Sequence, residues 1–174
     1  MYKHILLALA LICLAFVAIA QESISIDIFA LTPEGQGEKI GTILAKDTDS
    51  GLELTTDLKG LTPGTHGFHL HQNPNCGPAE KNGTSVPGLA AKGHFDPEQT
   101  GLHEGPEGKG HLGDLPALDV DQHGNAQTSA LVPRLKTTDL KGHSLIIHAG
   151  GDNYSDLPNP LGGGGARVSC GVIP

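Results

Sequence analysis

Apolar and polar residues alternate along much of this chain, and glycine and proline often interrupt the alternation. Ile24, Ile26 and Ile28 alternate with Ser25 and Asp27, for example. Because side chains two positions apart on a strand share one face, this is the pattern of a half-buried strand. No long segment repeats with the 3.6-residue period of an amphipathic helix. The alternation therefore predicts an all-β fold.

Eight segments carry the strand pattern, with turn-forming residues between them. They are 24–28, 38–46, 52–58, 65–71, 117–121, 125–132, 144–149 and 167–173. Two long stretches, 72–115 and 150–166, are polar and rich in glycine and proline. Loops of that length in a compact domain are usually functional or disordered, and the histidines and acids here favour function. We expect an eight-stranded Greek-key β-sandwich or flattened barrel with two long functional loops.

The N-terminal segment is typical of an export signal. It begins with one lysine and no acid, continues with an apolar run interrupted by Cys13, and ends in small residues at Ala18 and Ala20. We predict a signal peptide at 1–20, a mature domain at 21–174, and a periplasmic location, or secretion where there is no outer membrane. An uncleaved anchor is the alternative, but the run is short for a membrane span, so we expect no stable membrane association after cleavage.

Export leaves two cysteines, Cys76 and Cys170, in an oxidising compartment. An even pair fits one structural disulfide, which the loop-entropy model values at about 4–5 kcal/mol. A zinc-binding pair is the alternative, but the two residues lack the close spacing of zinc-finger ligands. The net charge of −8 and the scarcity of aromatic residues argue against nucleic acid as a partner.

Two groups of polar residues have the character of metal ligands. His69 and His71 lie two apart on a predicted strand, so both rings project from one face and can reach one ion. His94, His103, His111 and Asp114 form a second group, and three imidazoles with one carboxylate suit tetrahedral zinc. Asp114 could instead cap a turn, but its position three residues after His111 favours ligation.

The remaining histidines divide into one candidate ligand and several structural ones. His148 ends an apolar strand, and its role as a ligand depends on the other two groups. His66 and His143 fall on the opposite faces of their strands and are interpreted as structural. His123 sits in a predicted turn, where we expect it to be solvated.

Four motifs, in this order, resemble the copper/zinc superoxide dismutases. The motifs are His66 to His71 (HGFHLH), Gly93 to Pro97 (GHFDP), His111 to Leu115 (HLGDL) and a glycine-rich run that ends in GGARVSCG. The resemblance covers essentially the whole mature chain. The stretches around Asn73 to Cys76 and Ala149 to Asn153 look like the bacterial periplasmic branch of the family.

The resemblance implies a role for each candidate ligand. The residues that would bind copper are His69, His71, His94 and His148, and those that would bind zinc are His94, His103, His111 and Asp114. His94 would serve both ions as a bridging imidazolate. Asp152 would accept hydrogen bonds from His69 and His103 and so fix both rings; an ordinary turn aspartate is the alternative.

The same resemblance implies the chemistry. Superoxide would be converted to dioxygen and hydrogen peroxide by redox cycling of copper, while zinc, which has no redox chemistry, shapes the site. His94 would take up a proton on reduction of the copper and deliver it later. Because the substrate is an anion and the protein is acidic, a local positive charge must outweigh the distant negative field.

Arg167 is the best candidate for that local charge, because it follows four glycines that let the backbone pack close to the site. Lys81 is a weaker candidate that would attract superoxide from further out. A non-catalytic copper/zinc-binding or copper-delivery module on the same scaffold is the alternative function, and a purely structural β-domain is a third. The family contains monomers and homodimers, and the sequence does not choose between them.

Overall fold

A computed structural model describes residues 23–173, which fold into an all-β domain. The predicted signal peptide, with Cys13, lies outside the described residues. The strands are β1 (Ser23–Thr32), β2 (Gly35–Thr48), β3 (Gly51–Leu58), β4 (Gly64–His66), β5 (Phe68–His71), β6 (Ala79–Lys81), β7 (Thr84–Val86), β8 (Leu118–Val120), β9 (Ser129–Val132), β10 (His143–His148) and β11 (Arg167–Ile173). One helical turn, α1 (Thr137–Leu140), and two 3₁₀ turns (Leu89–Ala91 and Leu161–Gly163) complete the regular structure of this part of the chain.

Within residues 23–173, seven strands form one curled antiparallel sheet in the order β5-β10-β11-β1-β2-β3-β9. β4 pairs with β8, and β6 pairs with β7, as two separate ribbons. Strands β1, β2 and β3 follow one another, and β11 returns by a long connection to lie beside β1. That order is the Greek-key arrangement, so the predicted fold class is confirmed.

The described residues form eleven strands where eight were expected, because one predicted strand is divided and the first long loop adds two short ones. The predicted strand 65–71 is divided at Gly67, whose amide donates to the Gly150 carbonyl and whose carbonyl accepts from the His148 amide. This position leaves little room for a side chain, since a Cβ would lie 3.3 Å from the Gly151 carbonyl oxygen and the neighbouring loop would have to shift. Gly67 therefore lets the second long loop pack directly on the strand pair.

The first long loop contains a hairpin that the alternation did not reveal. β6 and β7 are joined at Asn82 and Gly83, which both have positive φ (53° and 76°). Asn-Gly is the favoured pair for such a two-residue turn. The hairpin brings Lys81, at the end of β6, towards the edge of the main sheet.

The core lies inside the curl of the sheet and is almost entirely aliphatic. Fully buried side chains include Ile26 and Ile28 of β1, Leu54 of β3 and Leu145 of β10. Burial of each such side chain contributes about 1.5–3 kcal/mol. Phe68 of β5 also packs in this core.

A disulfide joins Cys76, at the start of the first long loop, to Cys170 in β11. The two residues are 94 positions apart and both are buried, next to Ile146. The predicted disulfide is therefore present, and it fastens the first loop to the strand that begins with Arg167. In the described part of the chain, no helix is long and apolar enough to cross a membrane.

Candidate metal centre

The two long loops meet over the edge of the sheet formed by β5 and β10. Bridges between backbone segments pair His69 with Asp114 and His71 with His94, so the first loop folds back along β5. The bridges are possible because Gly113 packs on the Leu70 carbonyl, where a Cβ would lie 2.2 Å from the oxygen. The candidate ligands of both groups thus face one another.

The first cluster contains the four predicted copper ligands, His69, His71, His94 and His148. One ring nitrogen from each lies within 4.8 Å of those of the other three, and all four residues are buried. The two β5 histidines reach it from alternate positions of one strand, as their spacing predicted.

Three of these rings are held by a hydrogen bond at the nitrogen that faces away from the cluster. His69 Nε2 lies 2.7 Å from Asp152 Oδ2, and the carbonyls of Lys92 and Gly165 accept from His71 Nδ1 at 2.7 Å and His148 Nδ1 at 3.2 Å. The opposite nitrogens are buried and have no hydrogen-bond partner among the described residues. Buried imidazole nitrogens without a partner are costly unless they bind a metal, so the donor set fits a copper ion.

The second cluster is centred on the carboxylate of Asp114. Its Oδ1 lies 2.9 Å from His94 Nδ1, 3.0 Å from His103 Nδ1 and 3.4 Å from His111 Nδ1. The Oδ2 atom accepts hydrogen bonds from the amides of Glu104 and Gly105, which fix the orientation of the carboxyl group. Three imidazoles around one carboxylate form a donor set that fits zinc.

The imidazole of His94 belongs to both clusters. Its Nδ1 contacts Asp114 in the second cluster, while its Nε2 is buried without a partner among the described residues and faces the first. One ring therefore offers a nitrogen to each cluster, which is the geometry of a bridging ligand.

His111 is placed less closely than the other members of the second cluster. The four residues whose donor atoms lie within 4.8 Å of one another on this side are His69, His94, His103 and Asp114. His69 enters this group because its ring stacks on that of His94, with centroids 3.9 Å apart. Since Asp152 occupies its Nε2, His69 has one nitrogen left, and that nitrogen also belongs to the first cluster.

Asp152 connects the two clusters from outside. Its Oδ2 contacts His69 Nε2, and its Oδ1 contacts His103 Nε2 at 2.7 Å. Gly162, the first of the four consecutive glycines, makes room for this carboxylate, because a Cβ there would lie 1.9 Å from Asp152 Oδ1. The glycine run is thus needed for the packing of the second loop onto the ligands.

Electrostatics differ between the two clusters. Burial lowers the pKa of His69 to about 3 and that of His148 to about 4, and it holds the pKa of His71 well below the usual range. These rings are therefore neutral near pH 7 and ready to bind a cation. Burial also lowers the pKa of His103, but the hydrogen bonds to Asp114 and Asp152 outweigh it and raise that pKa to about 9.

The carboxylates of Asp114 and Asp152 have lowered pKa values, in contrast to the raised pKa of His103. Burial raises the pKa of both groups, but hydrogen bonds from imidazole rings outweigh it. Those from His103 and His94 hold the pKa of Asp114 well below the ordinary range, and those from His103 and His69 do the same for Asp152. Both groups are charged at neutral pH, so the second cluster contains an anionic ligand, Asp114, which the first lacks. A site with an anionic ligand suits a permanently divalent ion such as zinc.

A cleft of about 220 Å³ opens onto the first cluster. Its walls include the rings of His71, His94 and His148, and the cations Lys81 and Arg167. The Arg167 guanidinium donates hydrogen bonds to the carbonyls of Gly88 and Lys92, both at 2.5 Å, which fix its position. Both predicted guidance residues thus line one cleft.

The other histidines lie apart from the clusters. His66 is buried, and its ring nitrogens contact the carbonyls of His148 and Thr62. His143 Nδ1 contacts the Gln72 carbonyl, and its ring packs against Phe95. His123 is exposed in the turn before β9, as expected.

Sequence reasoning missed the backbone groups that orient the ligand rings. The carbonyls of Lys92 and Gly165 hold His71 and His148, and any residue type carries a carbonyl, so composition gave no signal. It also missed Asp156, whose carboxylate accepts from the amides of His103 and Leu161 and ties the two long loops together.

Comparisons with known proteins agree with this geometry. The family model for copper/zinc superoxide dismutase matches residues 39–173. A copper/zinc superoxide dismutase of Brucella melitensis biotype 1 is 47% identical over 174 residues, which cover 99% of each chain. Among solved structures, the Cu/Zn superoxide dismutase from Brucella abortus has a TM-score of 0.87 and 49% identity, covering 88% of this chain and 100% of that one. The monomeric copper, zinc superoxide dismutase from Salmonella enterica has a TM-score of 0.79 and 52% identity, with the same coverage of each chain.

Proposed function

The chain belongs to the copper/zinc superoxide dismutase family, and we propose that its two histidine clusters divide the two metal ions between them. The protein is an oxidoreductase that converts two superoxide ions and two protons to dioxygen and hydrogen peroxide, with copper and zinc as cofactors. In this assignment copper belongs to the cluster of His69, His71, His94 and His148. Zinc belongs to the cluster of His94, His103, His111 and Asp114.

The observation that carries the assignment is the position of the His94 ring. Its two nitrogens face different clusters, and the second cluster alone contains a carboxylate. The uncharged histidine cluster suits copper, which must be stable in two oxidation states, while the anionic cluster suits zinc. His94 would accordingly supply one ring nitrogen to each ion.

When bound, copper supplies the one-electron steps that oxidise one superoxide and reduce the next. The protein relays protons from solvent and supplies the geometry. His94 Nε2, which faces the first cluster, is the atom that would take up a proton and pass it to the reduced substrate, while Nδ1 faces the second cluster. Asp152 keeps the rings of His69 and His103 in fixed orientations throughout, and so acts as a positioning residue.

Arg167 and Lys81 guide the substrate. Burial lowers the pKa of Arg167, yet a guanidinium remains charged at any physiological pH. Its two hydrogen bonds hold that charge at the wall of the cleft. Lys81 is exposed at the end of β6, in the β6–β7 ribbon, so it attracts superoxide from a longer distance. Two cations at the cleft offset the repulsion that a net charge of −8 exerts on an anion.

We further propose that residues 1–20 are a signal peptide that directs the domain 21–174 to the periplasm. The buried disulfide supports an oxidising location. The mature domain works as a monomer or a homodimer, and the monomeric relative from Salmonella enterica favours the first. A non-catalytic metal-binding module is not favoured, because no candidate ligand and no guidance cation is missing from the site.

Metal content of single-alanine variants tests the assignment. We expect His71→Ala to weaken copper binding and leave zinc binding unchanged, and His103→Ala to weaken zinc binding and leave copper binding unchanged. His94→Ala should retain copper on the three remaining rings but weaken zinc binding more than 100-fold, since even a residue behind a ligand changes affinity 10- to 100-fold. His123→Ala, outside both clusters, is the matched control.

The variant His111→Ala decides the one ambiguous ligand. If His111 binds zinc, its loss weakens zinc binding as much as that of His103 does and leaves copper unaffected. If His69 were the fourth zinc ligand instead, His111→Ala would bind zinc normally, and the assignment of the second cluster would be wrong.

A further inference from the structure

Lys92 has a backbone conformation that lysine rarely adopts. Its φ of 63° and ψ of −149° fall close to a region that is occupied almost only by glycine. A side chain in this region strains the backbone, and such strain persists where the surroundings impose it, often at functional sites.

The surroundings of Lys92 impose this conformation through its two peptide groups. The amide donates to the Leu89 carbonyl at 3.0 Å and closes the 3₁₀ turn. The carbonyl accepts from His71 Nδ1 and from the Arg167 guanidinium, so it touches a candidate copper ligand and the guidance arginine at once. A relaxed lysine backbone would turn this carbonyl away from both groups.

Glycine would meet all of these backbone requirements without strain, so the lysine side chain needs its own explanation. The side chain is exposed, and among the described residues its ammonium makes no hydrogen bond or ion pair. The next residue, Gly93, lines the cleft, and His94 follows it. An unpaired cation is therefore carried by the residue next to the cleft lining, and the backbone carbonyl of this residue contacts Arg167.

We propose that Lys92 is a third guidance cation, which draws superoxide to the cleft together with Arg167 and Lys81. This inference rests on the proposed function of those two residues. A charge at the rim of a binding site acts mainly on the rate of encounter and on its salt dependence. At 0.01 M ionic strength the Debye length is about 30 Å, so the field of Lys92 reaches the whole cleft, whereas at 1 M it is screened within about 3 Å.

Four variants of the fully metallated, oxidised protein separate charge from strain. Lys92→Gln removes the charge and keeps the strain, Lys92→Arg keeps both, and Lys92→Gly removes both. Lys59→Gln is the matched control, because Lys59 is also an exposed lysine but neither of its sequence neighbours lines the cleft. For each variant, kcat/KM for superoxide is measured from 0.01 to 1 M salt.

Lys92→Gln and Lys92→Gly should both lower kcat/KM about 2- to 3-fold at 0.01 M salt, with a shallower salt dependence and no difference at 1 M. Lys92→Arg and Lys59→Gln should resemble the unmodified protein. Azide, a small anion that binds copper, should bind more weakly to Lys92→Gln at low salt. Lys92→Gly alone should raise the Tm, by about 3 °C or more, in both the metallated and the metal-free protein.

An unchanged salt dependence in Lys92→Gln would overturn the guidance role, as would a loss in Lys92→Arg equal to that in Lys92→Gln. A Lys92→Gly variant no more stable than the unmodified protein would overturn the claim of strain. Arg167→Ala, measured in the same salt series, tests the proposed function separately. If Arg167→Ala loses activity while Lys92→Gln does not, the inference about Lys92 fails and the proposed function stands.

Discussion

In the curled sheet, aliphatic side chains such as Ile28 and Leu145 pack inside strands whose backbone groups pair with one another. In the two long loops, 72–115 and 150–166, carboxylates bind backbone amides instead. Asp96 accepts from Gly101, and Asp156 accepts from both loops. The sheet is therefore held mainly by apolar burial and backbone pairing, whereas the loops depend more on polar side chains and the disulfide. The candidate site lies where the two regions meet, because His69, His71 and His148 are on strands while the other ligands are on the first loop.

Removal of one copper ligand should separate the two regions most clearly. We expect His148→Ala to lower the rate of superoxide decay at least 1000-fold, because a metal that carries the reaction loses a ligand at the cleft. The β-sheet signal in circular dichroism should remain, since β10 keeps its apolar residues. His123→Ala is the control and should keep full activity.

Loss of the disulfide should destabilise the attachment of the first loop. The double variant Cys76→Ser/Cys170→Ser should lower the free energy of unfolding by about 4 kcal/mol, since the bond closes a loop of 94 residues. Hydrogen exchange of the loop 72–115 should accelerate more than that of β1 and β2. Equal acceleration in both regions would contradict a separate role for the bond in the loops.

A cavity in the core should lower the stability of the fold and leave the activity nearly unchanged, the reverse of the loss of a copper ligand. Leu145→Ala removes a fully buried side chain and should cost about 3 kcal/mol of unfolding free energy, measured by denaturant titration. Activity per metallated molecule should change little. Leu44→Ala removes a side chain of the same type that is 43% exposed, and should cost less than about 0.5 kcal/mol.

The smallest effect concerns a carboxylate of the sheet. Burial raises the pKa of Asp47, but hydrogen bonds from the Thr137 amide and hydroxyl outweigh it, with a smaller contribution from Lys136, and the pKa lies below its ordinary value. A lowered pKa stabilises the folded protein fully above the unfolded pKa of about 3.9, and the contribution is lost as the pH falls through the folded value.

Asp47→Asn should therefore lower the unfolding free energy by about 1 kcal/mol or less from pH 5 to 8. The difference from the unmodified protein should shrink below about pH 4. A difference that grew in acid would contradict the direction of the pKa shift.

The same contrast explains what the sequence could predict. The all-β fold and its core residues follow from alternation, which is a local property. The two ligand groups and the suitability of the second for zinc followed from residue chemistry and spacing, while the resemblance to a family added copper, the shared role of His94 and the role of Asp152. The hairpin β6–β7 and the division of the strand at Gly67 were missed, because they depend on how a loop packs against a distant strand.

The backbone geometry of the site could not be predicted from the sequence either. Nothing in the amino-acid sequence indicates that Lys92 has a positive φ or that its carbonyl accepts hydrogen bonds from His71 and Arg167. The sequence also could not predict that His111 Nδ1 lies 3.4 Å from Asp114 Oδ1 whereas His103 Nδ1 lies 3.0 Å from it, because both residues are histidines. Such distances are set by tertiary packing.

The central claim is that the ring of His94 joins two different metal ions. A crystal structure of the metallated, oxidised protein, with anomalous diffraction recorded at the copper and zinc absorption edges, tests it most directly. We predict one copper near His94 Nε2 and one zinc at about 2.0–2.1 Å from His94 Nδ1, with Asp114 on the zinc alone. A structure in which His94 binds only one of the ions, or in which Asp114 binds copper, would contradict the account.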